Sequence, residues 1–314
     1  MSTLKNYLSL IKFSHTIFAM PFAMIGFFLG VIAVDYPKSV IPGWHIPVVP
    51  DSLSHRNIPT TPMEIGSRLV LVILCMVFAR SAAMAFNRYL DKSFDAKNPR
   101  TAIREIPAGV ISSDSALRFV IFNCIAFVVC TFLINPLCFY LSPLALFVVL
   151  GYSYTKRFTA LCHLILGLGL SLAPIGAYLA VTGAFALLPV LFSFAVIFWV
   201  SGFDIIYALQ DEDFDKSQNL YSIPAVAGKT RALKISELLH VLSAVCIIAA
   251  GWLGQFLWFY WIGVLVFCGM LIYQHSLVKP HDLSKVNLAF MTSNGIASVV
   301  FAMLVIADLF LAPH

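Results

Sequence analysis

The chain has 314 residues, of which 60% are hydrophobic and only 11% charged. Soluble domains carry about 25% charged residues, so this composition excludes an ordinary water-exposed surface. The net charge of +5 forms no basic stripe interleaved with exposed aromatics, which argues against a nucleic-acid partner. The seven cysteines all lie in apolar runs without a C-x-x-C pair, so they read as small core side chains, not as a disulfide frame or zinc site.

From the N-terminus, apolar runs fall near 15–34, 67–88, 117–134, 137–153, 162–182, 187–206, 236–253, 256–273 and 288–312. A helix needs about 20 such residues to cross a bilayer. Lipid offers the backbone no hydrogen bonds, so the expected fold is all-α: a polytopic transmembrane bundle of about nine spans, one domain over 1–314. The first run lacks a small-residue cleavage signature and reads as a retained span. Every Lys and Arg except Lys38, Arg56, Arg68 and the intramembrane Arg80 falls at the N-terminus or in the loops after spans 2, 4, 6 and 8. The positive-inside rule puts that side in the cytoplasm and the C-terminus opposite. Residues 35–63 form an external loop with six prolines, read as a loosely ordered flap without assigned chemistry.

Where span 2 meets the cytoplasm, Asn87, Asp91 and Asp95 recur at i, i+4 and i+8. Each step turns a helix only about 40°, so the three share a face, with Arg80 deeper in line. A second cluster closes span 6, where Asp204, Tyr207, Asp211 and Asp215 share a face and Asp213 points away to solvent. Two acidic faces at one membrane level require a cation between them. Carboxylates completed by phosphate oxygens suit Mg²⁺. Basic loops follow the helices: Arg100 and Arg104 after span 2, Lys156 and Arg157 after span 4, and Lys216, Lys229 and Arg231 after span 6. Cations beside metal-binding carboxylates match a diphosphate. Ile106-Pro-Ala-Gly after the first cluster recurs faintly as Ile223-Pro-Ala after the second, a short hint of duplication.

Together these motifs resemble the UbiA superfamily of intramembrane aromatic prenyltransferases. The family patterns N-x-x-x-D-x-x-x-D, R-T-x-x-R-x-x-P-x-G, Y-x-x-x-K-R and D-x-x-Y-x-x-x-D-x-x-x-D appear here in order. Many members carry Asp directly after the motif Asn; this chain has Arg88, which the helical spacing turns off the active face. The stretches Arg104–Gly109 and Tyr152–Thr159 look most like the 4-hydroxybenzoate polyprenyltransferase branch, and Ile11–Ala19 like bacterial relatives in ubiquinone or menaquinone synthesis.

The resemblance implies transfer of a polyprenyl chain from its diphosphate to an aromatic acid, in the bacterial inner membrane, with the active site facing the cytoplasm. Mg²⁺ would be held by Asn87, Asp91, Asp95, Asp211 and Asp215, and diphosphate oxygens by Arg100, Arg104, Lys156 and Arg157. Asp91, Asp211, Arg80 and Tyr207 would carry the catalysis, and His15 and Asp204 would meet the acceptor. Tyr152, Tyr154 and Tyr207 either shield an allylic cation or, for the first two, sit as interfacial belt residues. His15 is equally open to reading as a polar anchor. Arg80 either holds the acceptor carboxylate or, the preferred reading, pairs with an aspartate. A transporter is the rival class, and naphthoate, haem or chlorophyll precursors are rival acceptors in the same scaffold.

Overall fold

In the computed structural model the described residues are 3–12, 18–35, 45–46, 58–59 and 61–311. His15 and most of the 35–63 loop lie outside them.

The elements run α1 (Thr3–Leu10), α2 (Met20–Asp35), β1 (His45–Ile46), α3 (Pro62–Leu90), α4 (Lys92–Lys97), α5 (Ser113–Ile134), α6 (Pro136–Thr155), α7 (Cys162–Thr182), β2 (Phe185–Ala186), α8 (Leu187–Ala208), α9 (Glu212–Ser217), α10 (Ile223–Ala227), α11 (Lys229–Leu253), α12 (Trp258–Leu277) and α13 (Asn294–Leu311). A 3₁₀ turn, Leu209–Asp211, joins α8 to α9, and a π-helical turn, Leu288–Ser293, leads into α13. Eight helices among the described residues are long and apolar enough to cross a membrane, and α2 is a shorter ninth. The two strands, paired His45 with Ala186 and Ile46 with Phe185, tie the Pro-rich loop to the α7–α8 connection.

Local sequence explains the helix starts. Thr61 and Glu64 form a reciprocal capping box ahead of α3, with Pro62 at its first position. Ser112 caps α5 through the Ser115 N–H, and Asn135 caps α6 through the Cys138 N–H. The Asn135 amide also donates to Leu179 O at 2.8 Å, pinning the α5–α6 corner to α7.

The apolar run of α2 is uniform around its circumference, the pattern of a helix wrapped on all sides. Phe22, Ile25 and Phe27 are indeed fully buried. Around Phe22 pack Trp199, Phe267 and Phe301 from α8, α12 and α13, with ring centroids 5.3–6.4 Å away. The outward faces stay apolar, as Phe147, Trp258, Leu265 and Ile272 show, each more than 70% exposed. Such a girdle would aggregate in water and suits lipid.

Two charged side chains inside the bundle serve helix ends. Asp308, buried in α13, accepts the Leu257 and Tyr260 N–H groups at 2.8 and 3.2 Å and caps α12. Arg68 donates to Ile134 O and Ala180 O at the ends of α5 and α7, where carbonyls carry the negative pole.

Candidate active site

Neither acidic cluster sits on one unbroken helix. Helix α3 stops at Leu90, Asp91 occupies the break (φ −89°, ψ 6°), and the six-residue α4 carries Asp95. On the other side α8 stops at Ala208, the 3₁₀ turn ends at Asp211, and the six-residue α9 carries Asp215. Each half thus follows a long helix, a break at an aspartate and a six-residue helix, which extends the short Ile-Pro-Ala echo seen in sequence.

The breaks bring carboxylates and basic loops together. Arg104 meets Asp95 Oδ1 at 2.6 Å, and Arg157 meets Asp91 Oδ1 at 3.1 Å and Leu90 O at 3.0 Å. Lys156 reaches Asp215 Oδ1 at 2.7 Å. Arg100 crosses to the other half, donating from Nε to Asp211 Oδ1 at 3.1 Å, from Nη2 to Oδ2, and from Nη1 to the Tyr207 hydroxyl at 3.1 Å. Asn98 adds a bond to Asp211 Oδ1 at 3.2 Å, and Asn87 donates to Asp91 Oδ2 at 3.1 Å. Asp213 is exposed, as its position off the shared face predicts.

Burial pushes the Asp91 carboxyl up to about 6 despite the pull of Arg157. Burial works against the charge of Arg100 and Lys156, yet their bonds to Asp211 and Asp215 raise both above the usual range.

Three expectations need correction. Arg80 does not pair with an aspartate: it has no carboxylate partner among the described residues, and its buried Nε makes no hydrogen bond. The aspartates of the first cluster turn to Arg157 and Arg104 instead. Arg88 does not leave the site; it is buried, with Nη1 4.0 Å from Asp95 Oδ2, a residue seven positions on and so within about 20° of it around the helix. Tyr154 shields no cavity: it is 45% exposed and its ring lies under the Arg157 guanidinium, 5.3 Å away. Tyr207 instead stacks on Phe290 at 4.4 Å and on Arg100 at 5.4 Å.

Arg80 and Tyr152 belong to the lining of an apolar cavity of about 520 Å³ between α3, α5, α6 and α7. Its α3 wall runs from Val72 to Met84, twelve steps along the helix and so about 18 Å. Leu144 and Leu168 belong to its lining and are 61% and 40% exposed, which opens it sideways between α6 and α7.

The residues fit a divalent cation with a diphosphate. The donors are hard oxygens from Asn87, Asp91, Asp95, Asp211 and Asp215. Asp95 Oδ2 is buried and accepts no hydrogen bond. Among the described residues no three His, Cys, Asp or Glu side chains stand close enough to hold an ion alone, so substrate oxygens would have to complete the shell.

One element of this site carries no sequence motif. His163, at the start of α7, is buried and bonds Asp204 Oδ2 through Nδ1 at 2.6 Å. Its only signal in the sequence is its place, one residue into the helix that follows the Lys156–Arg157 loop.

Comparison with known proteins agrees with this architecture. The UbiA prenyltransferase family model matches residues 54–296. A 4-hydroxybenzoate octaprenyltransferase from Tolumonas auensis is 32% identical over 241 residues, covering 76% of this chain and 84% of that protein. One from Nitrosomonas europaea is 32% identical over 247 residues, covering 77% and 82%. Among solved structures, the apo UbiA homologue from Aeropyrum pernix K1 superposes with a TM-score of 0.74 at 27% identity, over 95% of this chain and 97% of that one. A UbiA homologue from Archaeoglobus fulgidus, solved bound to GPP and Mg²⁺, shares the fold with a TM-score of 0.66 at 20% identity, over 97% and 99% of the two chains. Sequence motifs, paired acidic breaks and relatives converge: this chain is an integral membrane prenyltransferase and belongs to the UbiA prenyltransferase family.

Proposed function

We propose that the chain transfers a polyprenyl group from its diphosphate to 4-hydroxybenzoate or a close hydroxybenzoate, with Mg²⁺, at the cytoplasmic face of a bacterial inner membrane, in quinone synthesis. The observation that carries this reading is the Arg80 guanidinium, without a carboxylate partner among the described residues, in the lining of an apolar cavity. A partly buried arginine without a counter-ion calls for an anion, and a benzoate carboxylate fits its planar fork.

Asp91, Asp95, Asp211 and Asp215 face Arg157, Arg104, Arg100 and Lys156, with Arg88 also beside Asp95, so the cations exceed the carboxylates by one. One surplus cation falls short of the charge of a diphosphate, so the entering polyanion needs added cations. Mg²⁺, when bound, neutralises the departing diphosphate and lowers the barrier to breaking the allylic C–O bond. The arginines and lysine then exchange their carboxylates for phosphate oxygens, and hold the leaving group where its charge grows. The aromatic ring, fixed by Arg80, attacks through the carbon beside its hydroxyl. The cavity takes the first part of the tail, and its opening past Leu144 and Leu168 lets a longer tail continue into lipid. Apolar walls keep water from the allylic cation.

The relatives named 4-hydroxybenzoate octaprenyltransferase support this acceptor over naphthoate, haem or chlorophyll precursors. The test is an assay of membranes carrying the protein, with radiolabelled polyprenyl diphosphates against a panel of aromatic acids. Transfer to 4-hydroxybenzoate that stops with EDTA and returns with Mg²⁺ is expected. Transfer only to another acceptor, or full turnover in excess chelator, overturns the corresponding half of the reading.

A further inference from the structure

The connection between α4 and α5 carries Arg100 and Arg104 without a helix of its own, yet both guanidiniums stand at fixed partners. Backbone bonds account for part of that order. The Arg104 carbonyl accepts the Ala108 N–H at 2.9 Å, and the Glu105 carbonyl accepts the Val110 and Ile111 N–H groups at 2.9 and 3.0 Å. Gly109, at φ +73°, supplies the left-handed residue that this turn needs. Arg104 and Glu105 are thus neighbours on one hydrogen-bonded edge, and whatever holds Glu105 also sets where Arg104 stands.

Glu105 is held by the N-terminal helix. Ser9 Oγ of α1 donates to Glu105 Oε1 at 2.5 Å, across 96 positions of sequence. The next two residues, Leu10 and Ile11, are 0% and 6% exposed. They share one apolar cluster with Ile106 and Ile111 of the loop, Ala85 of α3, and Ala116 and Val120 of α5. Tyr7 stacks on Phe119 of α5 with ring centroids 4.8 Å apart, so α1 is fastened to the bundle as well as to the loop. Lys12 then leaves in the left-handed region, at φ 46°, and ends the helical path just past these contacts. Eight residues are too few for a helix to hold itself in water. The order of α1 comes from this packing, and the loop beside Arg104 is what the packing grips.

We infer that α1 is a strap whose Ser9 and Leu10 are positioning residues: Ser9 through Glu105, and Leu10 through Ile106 and Ile111, hold the loop where Arg104 meets Asp95. The inference rests on the diphosphate role given to Arg104 above. A loose loop would have to be ordered by the incoming donor, at the expense of its affinity. A strapped loop is ordered beforehand. That cost falls equally on the bound donor and on the transition state, so the strap acts on the KM for the prenyl diphosphate and leaves kcat alone.

The experiment compares wild type, Ser9→Ala, Ser9→Thr, Leu10→Ala, Glu105→Ala and the double variant Ser9→Ala/Glu105→Ala. It reads steady-state kinetics in both substrates, and tryptic cleavage after Arg100 and Arg104 in membrane vesicles with the cytoplasmic face outward. Ser9→Ala is expected to raise the KM for the prenyl diphosphate about three- to tenfold, the range of one hydrogen bond, with kcat and the acceptor KM unchanged. Ser9→Thr keeps the hydroxyl and should restore the wild-type value. In the Glu105→Ala background the Ser9→Ala change should cost nothing more, since the two residues share one bond. Tryptic cleavage of the loop should be faster in Ser9→Ala, and faster still in Leu10→Ala. A Ser9→Ala variant with the wild-type donor KM overturns the strap, and so does an equal rise in the acceptor KM or an undiminished penalty in the Glu105→Ala background. If wild type transfers a prenyl group to no hydroxybenzoate, the proposed function fails instead. The strap is then judged by trypsin alone, and unchanged cleavage in both Ser9→Ala and Leu10→Ala overturns it.

Discussion

Arg100 and Asp211 are 111 residues apart in sequence and meet through two hydrogen bonds, Arg100 Nε to Oδ1 at 3.1 Å and Nη2 to Oδ2. The contact joins the loop behind one acidic break to the carboxylate of the other, and the third guanidinium nitrogen holds Tyr207. A planar fork engaged on three acceptors cannot be replaced by a point charge. Arg100→Lys is therefore expected to raise the KM for the prenyl diphosphate and to lower kcat by about 10²-fold, the usual cost of one lost charge-stabilising donor. Steady-state kinetics with varied donor checks it; a variant within a few-fold of wild type removes Arg100 from the diphosphate site.

The acidic pairs give a second expectation. Asp91→Asn or Asp211→Asn keeps the shape of each side chain but removes a charge that holds the metal-bound diphosphate. Either change should lower kcat by orders of magnitude, and the double variant should be little worse than either single, since groups acting as a unit are strongly non-additive. Asp213→Asn, an exposed residue one turn away, should stay within a few-fold of wild type. Equal damage from Asp213→Asn and Asp91→Asn would sink the assignment of the paired carboxylates.

Much of this site was legible because its chemistry repeats at helical spacing. Asn87, Asp91 and Asp95, and later Asp211 and Asp215, fall at steps of four, and period alone marks them. The breaks at Asp91 and Asp211 escaped the same reasoning, because i, i+4 spacing assumes a helix that continues. Arg88 stands about 100° around the helix from Asn87 but only about 20° from Asp95, seven residues on, and it is Asp95 that it neighbours in the buried site. His163 and Asp308 escaped for another reason. Each is a single polar residue in an apolar run, and its partner, Asp204 or the start of α12, is far away in sequence. Tertiary pairing, not local pattern, gives such residues their meaning. The nine-span layout was the easiest feature, since lipid allows the backbone so few alternatives; the last run begins near 288 as expected, but as a π-helical turn, Leu288–Ser293, before α13 starts at Asn294.

Orientation makes a third prediction. Met63 sits at the exposed start of α3, and Ser217 ends α9 beside the acidic site, with one span between the two ends of α3. With the basic loops in the cytoplasm, Met63→Cys in a background without the native cysteines should react with an impermeant thiol reagent added to intact cells, and Ser217→Cys should react only after the membrane is opened. Reversed labelling would place the acidic breaks on the outer side and remove the cytoplasmic prenyl donor from the proposal.

The last prediction concerns what keeps α2 at the centre of the bundle. Gly26 packs against α7 so closely that a Cβ added there would stand 2.0 Å from the carbonyl oxygen of Pro174 and 2.8 Å from its Cα. Both are backbone atoms, which cannot rotate aside as a side-chain tip can, so the two helices must separate. Ordinarily alanine stabilises a helix relative to glycine by about 0.5–1 kcal/mol. Here that gain is opposed by overpacking, which typically costs about 1–3 kcal/mol and more where the backbone has to move. Gly26→Ala should accordingly lower the midpoint of thermal unfolding in detergent. Gly66→Ala is the matched control: Gly66 lies in α3 with nothing within 4 Å of an added Cβ, so only the helix gain remains and the midpoint should hold or rise. Because Phe22 and Ile25 pack on the same core from the neighbouring turn, a displaced α2 should also loosen Trp199 and broaden its fluorescence response to heating. A Gly26→Ala variant as stable as Gly66→Ala would mean that α2 does not rest on Pro174, and the central position of that helix would have to be abandoned.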